Sequence, residues 1–383
     1  MSDPRTPARI IFAGGGTGGH LYPAIAIADR VRTMLKSQGG ADILFVGTRR
    51  GLEYRLGDKL GYRLHLINMR GIVRSLSPKN LLVPFVVITA LLKATALLIR
   101  VRPHIVVGTG GYVAWPVLRA AIARGIPTVL QEQNSFPGIV TRRLAPRVDH
   151  IFLGFERARD YLRTKAPTEV VGNPVRSNIQ QGDREAAARH YGLDPHRKTI
   201  LVLGGSQGAR AINRAITKSV QAGGLPDDIQ LLWQTGIRDY KDVSAHVGNR
   251  ASNCALFPFA EEMDPVYALA DLAVARAGAL TLAELMACSL PSILIPYPFA
   301  AGDHQRHNAK EMVDRGMARM VDEDDLADCD ILGEASRLLK SDRYAGMKES
   351  ITEATAGQRP AVDVIAERIL EMIDNAKRDG QSE

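Results

Sequence analysis

The fold is decided by residues 9–20, RIIFAGGGTGGH, where a short apolar run passes directly into a glycine-rich loop. The run Arg9–Ala13 predicts a buried β-strand, and apolar spacing from Tyr22 to about Gln38 predicts a helix after the loop. Residues 199–209, TILVLGGSQGA, repeat this order, with a predicted strand Thr199–Leu203 and a following helix. Two such openings predict two successive α/β domains, each built on a parallel sheet.

Further apolar runs continue the alternation of strands and helices through both halves, which predicts right-handed βαβ units. Residues 172–176, GNPVR, lie between the halves and suit a hinge, because glycine and proline are common in interdomain linkers. The last predicted helix, about Ala361–Lys377, is amphipathic and follows Pro360. The remaining predicted strands are Ile43–Val46, Ile105–Val107, Thr128–Leu130, Gln230–Trp233, Leu256–Phe257, Leu272–Ala275 and Ser292–Ile295.

Length and composition limit the class of protein. A chain of 383 residues exceeds one ordinary core, and contents of 45% hydrophobic and 23% charged residues fit a soluble globular protein. Cys254, Cys288 and Cys329 lack CxxC or His-paired spacing, which predicts free thiols in a reducing compartment and no metal site. The N-terminal residues lack the apolar segment of a signal peptide, so we expect a cytoplasmic protein. An aromatic content of 5% disfavours a nucleic-acid-binding platform.

Charge is distributed unevenly along the chain. Residues 1–176 carry a net charge of +16, whereas the remainder carries −8. From Lys59 to Gln131 there are ten Lys or Arg residues and no carboxylate. Such a field attracts nucleic acid, a membrane surface or a phosphorylated ligand, although a solvated basic surface is the simpler interpretation.

The apolar segment Leu81–Ile99 is long enough to resemble a membrane span. Lys93 and Pro84 interrupt it, and a crossover helix is expected at this place, so we predict a largely apolar helix and not a span. Two interpretations stay open. The helix either packs in the core, or it exposes an apolar patch beside Arg100 and Arg102 to an anionic membrane surface.

Three glycine-rich loops, at residues 14–20, 108–112 and 204–209, follow predicted strands. Glycine lets backbone N–H groups approach an anion, and the dipole of a following helix adds to the attraction. Residues 14–19 match the dinucleotide pattern GxGxxG, but the second strand leads into Gly47-Thr48-Arg49-Arg50 without the acid that binds the ribose of NAD. No Gly-Lys-Ser/Thr, GxSxG or HExxH pattern is present. Loops of this kind in both halves predict a nucleotide-sugar diphosphate bound in an interdomain cleft.

His20 ends the first glycine loop. A single histidine is more often structural than catalytic. Here it follows a glycine run at a helix N-terminus, where the backbone already serves a ligand, and this favours a functional role.

These motifs also occur together in a specific order, and from residue 9 to about residue 370 the chain resembles the MurG family. This family comprises the bacterial transferases that add N-acetylglucosamine to the lipid-linked muramyl-peptide precursor of peptidoglycan. Each motif alone is weak, whereas the ordered set is highly specific. The set is 14–20 followed by Leu21-Tyr22-Pro23-Ala24, then 108–112, Glu132-Gln133-Asn134, 172–176, 204–209, 276–281 with Glu284, and Asp303-His304-Gln305 with Asn308-Ala309.

The resemblance implies the GT-B fold, in which two Rossmann-like parallel-sheet domains face each other across a cleft. We expect residues 1–174 to form the acceptor- and membrane-side domain and residues 175–360 to form the donor-binding domain. Residues 361–383 are expected to form a helix and tail that pack back toward the N-terminal domain.

The resemblance also implies a reaction and its partners. UDP-N-acetylglucosamine would donate its sugar, with inversion, to the muramyl 4-hydroxyl of lipid I, giving lipid II and UDP. Neither a metal nor a cofactor is expected. The expected partners are these two substrates and the anionic inner leaflet at the cytoplasmic face of the cell membrane, to which the protein would bind peripherally. Nucleic acid is not an expected partner.

In the family, the donor contacts residues of both halves. The backbone at Ala260 would read uracil, Glu284 would accept from the ribose hydroxyls, and Gln305 would hold sugar hydroxyls. The residues expected to bind the donor are Thr17, Gly18, Gly19, Asn134, Arg176, Ser206, Ala260, Ala279, Leu280, Thr281, Leu282, Ala283, Glu284 and Gln305.

The chemistry agrees with these implied roles. A helix from Leu280 to about Cys288 would direct its N-terminal N–H groups at the diphosphate and stabilise the charge that grows as UDP leaves. His20 is the first candidate for the base that takes the acceptor proton, since histidine titrates near neutral pH, and Glu132 is its rival.

The chain departs from the family pattern at two positions. Ala260 replaces a larger aliphatic residue, which should not affect a backbone contact. Gln131 stands where histidine is expected, so any role of that histidine is in doubt for this chain.

Three alternatives remain at this stage. The first is another GT-B transferase with a diacylglycerol or lipid-sugar acceptor. The second is an NADP-dependent oxidoreductase, for which no reacting Ser/Tyr/Lys or Cys set is found. The third is a non-catalytic membrane-bound scaffold, which would not need the intact ligand loops of both halves.

Overall fold

The structure is a computed structural model that describes residues 7–69, 83–176, 178–205, 208–223, 225–248 and 253–379. The chain divides into two compact units. The first unit consists of residues 1–175 together with 359–383, and the second consists of residues 176–358. Each unit contains one parallel sheet with helices between its strands, so the prediction of two Rossmann-like parallel-sheet domains is confirmed.

The first unit is built on a seven-stranded sheet. Its strands are β1 (Ala8–Gly14), β2 (Ala41–Gly47), β3 (Arg63–Leu66), β4 (Ile105–Gly110), β5 (Thr128–Glu132), β6 (His150–Leu153) and β7 (Thr168–Val170). The first five helices of the unit are α1 (Gly18–Leu35), α2 (Leu52–Leu56), α3 (Val83–Val101), α4 (Ala114–Ile122) and α5 (Ile139–Leu144). Short 3₁₀ helices cover Gly57–Leu60 and Glu156–Tyr161.

The strand order of this sheet is β3-β2-β1-β4-β5-β6-β7, and all of its strand pairs are parallel. From β3 to β6 this is the doubly wound order, in which the direction of winding reverses between β1 and β4. Ligands of such sheets bind beside this switch point, at the carboxyl ends of the strands. The first glycine loop leaves the sheet at this point.

Strand β1 lies between two apolar layers. Ile10 and Phe12 point to one face of the sheet, and Phe12 stacks on Phe45 with ring centroids 5.4 Å apart. Ile11 points to the opposite face, where residues of α3 and α4 cover it. Because both faces are buried, the strand is an unbroken apolar run and not an alternating one.

The second unit is built on a six-stranded sheet. Its strands are β8 (Lys198–Leu203), β9 (Ile229–Gln234), β10 (Cys254–Phe257), β11 (Leu272–Ala275), β12 (Ser292–Leu294) and β13 (Ala318–Met320). Its helices are α6 (Arg184–Tyr191), α7 (Arg210–Gln221), α8 (Tyr240–Val247), α9 (Asp264–Leu269), α10 (Ala279–Ala287), α11 (His304–Asp314), α12 (Ile331–Leu339) and α13 (Asp342–Thr355), with 3₁₀ helices at Ala301–Asp303 and Glu323–Ala327.

The second sheet has the order β10-β9-β8-β11-β12-β13, which repeats the winding of the first. Its switch point lies between β8 and β11. Trp233 is fully buried in its core, and the indole Nε1–H donates to Asn213 Oδ1 at 3.1 Å. The loops after β8 and β11 are therefore the places where this unit is expected to hold a ligand.

The final helix, α14 (Ala361–Asp379), belongs to the first unit. Ile365 and Ile369 are fully buried and join the same apolar cluster as Phe12 on β1. Arg30 of α1 pairs with Asp363 at 2.6 Å. The C-terminal end of the chain thus completes the core of the N-terminal sheet.

Two local predictions differ from the structure. Helix α1 begins at Gly18, before the predicted start at Tyr22, because the Thr17 carbonyl accepts hydrogen bonds from the N–H groups of His20 and Leu21. The short strands β3, β6, β7 and β13 were not predicted. Their three or four residues form strands because neighbouring strands offer backbone partners, a condition that local sequence does not reveal.

Helix α3 occupies most of the apolar segment Leu81–Ile99, of which Leu81 and Leu82 lie outside the described residues. Ala94 and Leu98 are buried against the sheet, whereas Leu92 and Ile99 are exposed. In the part of the chain that the structure describes, no helix combines the length and the apolar character needed to cross a membrane.

The stability of the first unit should fall as the pH is lowered from about 6.5 toward 4. The ring Nδ1 of His104 accepts the Arg9 backbone N–H at 3.0 Å. Burial, reinforced by Arg9 and Lys377, lowers the pKa of His104 from its usual 6.5 to about 4. The unfolded chain therefore binds a proton in this pH range that the folded chain does not, and protons favour unfolding.

Urea unfolding at pH 7.5 and pH 5 checks this prediction. We expect a smaller loss of stability between the two pH values in His104→Asn, whose amide oxygen can still accept the Arg9 N–H but does not titrate. His196→Asn, at an exposed position of the second unit, is the matched control and should behave like the unmodified chain. An equal loss in all three proteins would contradict the assignment.

Candidate functional site

In the first unit, a buried carboxylate organises the first glycine loop. Glu53, on α2, is 1% exposed, and its two oxygens accept the backbone N–H groups of Gly16 and Thr48, each at 2.8 Å. A Cβ at Gly15 would come within 2.6 Å of this carboxylate, and one at Gly47 within 2.3 Å of the same side chain. The glycines therefore make room for an acid of the chain itself.

This arrangement changes the interpretation of the loop. Backbone N–H groups of this loop were expected to approach an anion, but that of Gly16 is occupied by Glu53, and the carboxylate beneath the loop repels an anion. The acid missing from the end of the second strand is supplied by the following helix instead. It binds backbone and not a ribose. Sequence reasoning missed Glu53 because it searched for the acid only at the strand end.

His20 lies in the first turn of α1 and contacts the ends of β4 and β5. Its Nδ1 is 3.0 Å from Gln133 Oε1, and its carbonyl accepts the Thr109 hydroxyl at 2.8 Å. Gly110 has φ +102°, and a Cβ there would lie 2.6 Å from His20 Nδ1. The second glycine loop thus leaves the space that the imidazole occupies.

A buried amide network lies next to His20. Gln131, which stands where the resemblance led us to expect histidine, is fully buried and donates to Asn173 Oδ1 at 3.0 Å. Asn173 Nδ2 in turn donates to the Gln133 carbonyl at 2.9 Å. Gln131 therefore connects the end of β5 to Asn173, which gives its side chain a structural role.

Glu132, the rival candidate for the base, is 3% exposed, and both of its oxygens accept hydrogen bonds within its own loop. One oxygen accepts from the Asn134 backbone and side chain at 3.0 and 3.1 Å. The other accepts the N–H of Gly138, the residue before α5, at 3.0 Å. The carboxylate thereby shapes the loop that carries Asn134, one of the predicted donor-binding residues.

The remaining predicted residues of the first unit lie at the start of α1. Thr17 is the N-cap of the helix, but no side-chain hydrogen bond caps it, and the helix opens with Gly18 and Gly19. Thr17 and Gly19 are exposed. The structure therefore places Thr17–Gly19 on an accessible helix N-terminus one turn or less from His20.

In the second unit, the start of α10 lies at the carboxyl end of β11, on the switch point of the sheet. The helix begins at Ala279, next to the predicted Leu280. No side chain caps it at Gly278, and its first turn contains no acid. The first N–H groups of a helix have no partner within the helix, so this end is suited to an anion.

Two side chains hold the loop that precedes α10. The Arg276 guanidinium donates to the carbonyls of Ile295 and Pro296, both at 3.1 Å, and pairs with Glu323. Asn308 Nδ2 donates to the Ala277 carbonyl at 3.2 Å. These two motif residues thus fix the backbone that presents the helix end. Ser206, in the glycine loop after β8, lies outside the described residues.

Glu284 lies within α10 and is held by a tyrosine that the sequence did not identify. The hydroxyl of Tyr267, itself 3% exposed, donates to Glu284 Oε2 at 2.8 Å. Burial raises the pKa of Glu284, while the Tyr267 hydroxyl and the charge of Arg176 act in the opposite direction. Arg176 Nη1 also donates to the Glu261 carbonyl at 3.3 Å. Arg176 therefore connects Glu284 with the loop that follows β10.

That loop contains Ala260 beside a cavity of about 540 Å³, whose wall includes Tyr191, Phe257 and Phe259. The N–H of Ala260 donates to Gln234 Oε1 at 3.0 Å. The backbone at Ala260 was predicted to read uracil, and its N–H is paired within the unit, which leaves the Ala260 carbonyl as the other backbone group at this position.

Gln305, in the first turn of α11, is the last predicted site residue. Its Oε1 accepts the N–H of Tyr297 at 3.0 Å, which leaves the amide N–H groups of the same side chain to face other partners. The Arg276 guanidinium lies over the Tyr297 ring, with Cζ 5.4 Å from the ring centroid. The loop after β12 is thereby joined to the loop after β11.

The chain matches known protein families over most of its length. Residues 10–153 match the glycosyltransferase family 28 N-terminal domain, and residues 199–369 match the C-terminal domain of the same family.

Named relatives and a solved structure agree with this match. A protein of Chlorobium limicola is 43% identical over 321 residues, which are 83% of this chain and 86% of the relative. A protein of Chlorobium luteolum is 40% identical over 370 residues, 95% of this chain and 99% of the relative. Both are named UDP-N-acetylglucosamine–N-acetylmuramyl-(pentapeptide) pyrophosphoryl-undecaprenol N-acetylglucosamine transferase. The crystal structure of Acinetobacter baumannii MurG resembles this structure with a TM-score of 0.73 and 25% identity, covering 95% of this chain and all of that one.

Gly110→Ala should displace the His20 imidazole. The new Cβ would lie too close to Nδ1, and alanine is strained at a φ of +102°. Gly125→Ala is the matched control, because Gly125 also has a positive φ, +66°, but a Cβ at that position would have no other atom within 4 Å.

The imidazole NMR signals of His20 and urea unfolding test this expectation. Both variants should lose about 1–2 kcal/mol of stability through backbone strain. Only Gly110→Ala should shift the His20 ring signals. Unchanged ring signals in that variant would show that the ring does not occupy the described position.

Proposed function

The chain belongs to glycosyltransferase family 28, and we propose that it transfers N-acetylglucosamine from UDP-N-acetylglucosamine to the 4-hydroxyl of the muramyl sugar of lipid I. The products are lipid II and UDP, as in peptidoglycan synthesis. The observation that carries the proposal is the 40% identity, over 95% of the chain, to a relative named for this reaction. The chain also has a glycine loop followed by a histidine in the first unit and a helix end without a side-chain cap in the second.

The second unit supplies the means to bind the donor. We assign the diphosphate to the open N-terminus of α10, over residues 279–281, where helix N–H groups and the helix dipole attract negative charge. Glu284, held by Tyr267, would accept from the ribose hydroxyls, and the aromatic-walled cavity beside Ala260 would take the uracil. As the sugar leaves, the same N–H groups stabilise the charge that develops on UDP.

The first unit supplies the base. Glu132 is buried, and its oxygens accept three hydrogen bonds from its own loop, so turning this carboxylate toward a substrate would break the loop. His20 is partly exposed and lies on the accessible helix start that carries Thr17–Gly19. We therefore assign the base to His20 and place Glu132 among the residues that shape the site.

The bond changes follow from these assignments. His20 takes the proton of the muramyl 4-hydroxyl while the oxygen attacks the anomeric carbon from the side opposite UDP. The carbon–oxygen bond to UDP breaks, and its electron pair stays on the diphosphate. Inversion follows from this single displacement. Because Glu53 occupies the Gly16 N–H, we assign the first loop to positioning the reacting sugars and not to gripping a phosphate.

We further propose that the protein docks peripherally on the anionic cytoplasmic face of the membrane that carries lipid I. Phe85, Ile88, Leu92 and Ile99 are between 51% and 69% exposed and follow one stripe of α3. Lys93 and Arg100 are exposed beside this stripe. An apolar stripe next to basic side chains is suited to a leaflet of anionic lipid.

A transfer assay with labelled UDP-N-acetylglucosamine and a lipid I analogue tests the proposed reaction, with UDP-glucose and UDP-galactose as competing donors. We expect transfer from UDP-N-acetylglucosamine alone. His20→Ala should lower kcat by about 10²- to 10⁴-fold, the usual contribution of a positioned base, while donor KM changes little. Transfer to diacylglycerol instead of the lipid I analogue, or binding of NADPH, would refute the proposal.

Sedimentation with vesicles of anionic lipid tests the membrane surface. The double substitution Phe85→Ser, Leu92→Ser should weaken binding at least about tenfold, since burying such side chains contributes about 1.5–3 kcal/mol each. Lys93→Glu should weaken it further and reduce its sensitivity to salt. Ile237→Ser, which removes a 71% exposed side chain of the second unit, is the control and should bind like the unmodified protein. Equal binding by all variants would exclude this face of α3.

A further inference from the structure

The orientation of the Gln133 side chain is fixed by its surroundings. Gln133 is 2% exposed, and its amide Nε2 donates to the carbonyls of Thr109 at 2.8 Å and Gln131 at 3.1 Å. A backbone carbonyl can only accept, so the NH₂ group must face these two atoms. The amide oxygen then faces the opposite way, toward His20.

This orientation has a consequence for the imidazole. Gln133 Oε1 lies 3.0 Å from His20 Nδ1, and an amide oxygen can only accept. A hydrogen bond at this distance therefore requires a proton on Nδ1. In a neutral imidazole with Nδ1 protonated, the lone pair is on Nε2.

We propose that Gln133 is a positioning residue that selects the His20 tautomer with Nδ1 protonated and so leaves Nε2 as the atom that takes the acceptor proton. The inference rests on the proposed function, in which His20 is the base. After proton transfer the imidazolium keeps the Nδ1–H bond to Gln133, so one contact serves the ring before and after the step.

The surrounding residues make this selection rigid. Gln131 and Asn173 hold the end of β5 through their own amide bonds, and Thr109 binds both the His20 carbonyl and the Gln133 amide. An inverted amide would place its NH₂ against the ring and its oxygen against two carbonyls, leaving buried groups without partners. Rotation of the Gln133 amide, which would favour the other tautomer of His20, therefore costs free energy.

The acceptor that faces His20 Nδ1 is a neutral amide, and this affects the charge of the ring. A carboxylate beside Nδ1 would favour the imidazolium and leave less free base at neutral pH. An amide orients the ring without adding charge.

The experiment uses the full chain and three variants. Gln133→Leu removes the acceptor, Gln133→Glu replaces it with a charged one, and Gln230→Glu puts the same change at a buried glutamine of the second unit that does not contact His20. The tautomer of His20 is read from its ring ¹⁵N shifts, with His20→Ala used for assignment. Activity is followed as kcat and donor KM against pH.

We expect the unmodified chain to show the Nδ1-protonated form. Gln133→Leu should lose this preference and lower kcat about twofold or more, with donor KM nearly unchanged, because Nε2 then carries the proton and cannot act as the base in a fraction of the molecules. Gln133→Glu should move the acid limb of the kcat profile upward by about one pH unit, since a nearby carboxylate favours the protonated ring. Gln230→Glu should leave the position of that limb unchanged.

Two results would overturn the inference. One is an Nε2-protonated His20 in the unmodified chain. The other is an acid limb in Gln133→Glu that coincides with that of the unmodified chain while the variant is folded. Failure of the proposed function is distinguishable, because a chain without transfer activity would still report its His20 tautomer by NMR.

Discussion

Both sheets are buried on both faces, and this constraint governs where polar chemistry can lie. In the first unit Ile10, Ile11 and Phe12 are fully buried, with α1 and α14 on one side and α3 and α4 on the other. A polar side chain within such a strand would lose its hydration. Polar groups therefore gather where the strands end, and the reversal of winding opens the carboxyl ends of β1 and β4 to a ligand.

At these strand ends the two acids are buried, whereas the histidine is partly exposed. Glu53 and Glu132 lie close to the glycine loops, but each is almost fully buried and accepts hydrogen bonds from backbone N–H groups. A buried carboxylate with such partners stiffens the loop around it. The acids thus build the first site, whereas His20 stays partly exposed in the first turn of α1.

The start of α1 in the first unit and the start of α10 in the second differ in their surroundings. The start of α1 presents His20, and the nearby Gly16 N–H is occupied by Glu53. The start of α10 has no side-chain cap and no acid in its first turn, so its N–H groups can hold a diphosphate. The two helix starts therefore differ in which nearby backbone N–H groups are occupied. The difference is caused by one carboxylate that is distant from the loop along the chain.

Local sequence was sufficient for the apolar strands, the glycine loops and the ordered motifs, because a doubly buried strand must be an apolar run and a close backbone approach needs glycine. It therefore determined the two parallel-sheet domains, the family and the candidate residues His20 and Glu284. Only the tertiary structure decided which partners these residues have. The contacts of His20 with Gln133 and of Glu284 with Tyr267 join residues from different strands and helices, whose side-chain directions depend on the packing of a whole unit. The short strands β3, β6, β7 and β13 were missed for the same reason, since strand pairing and not local composition makes them strands.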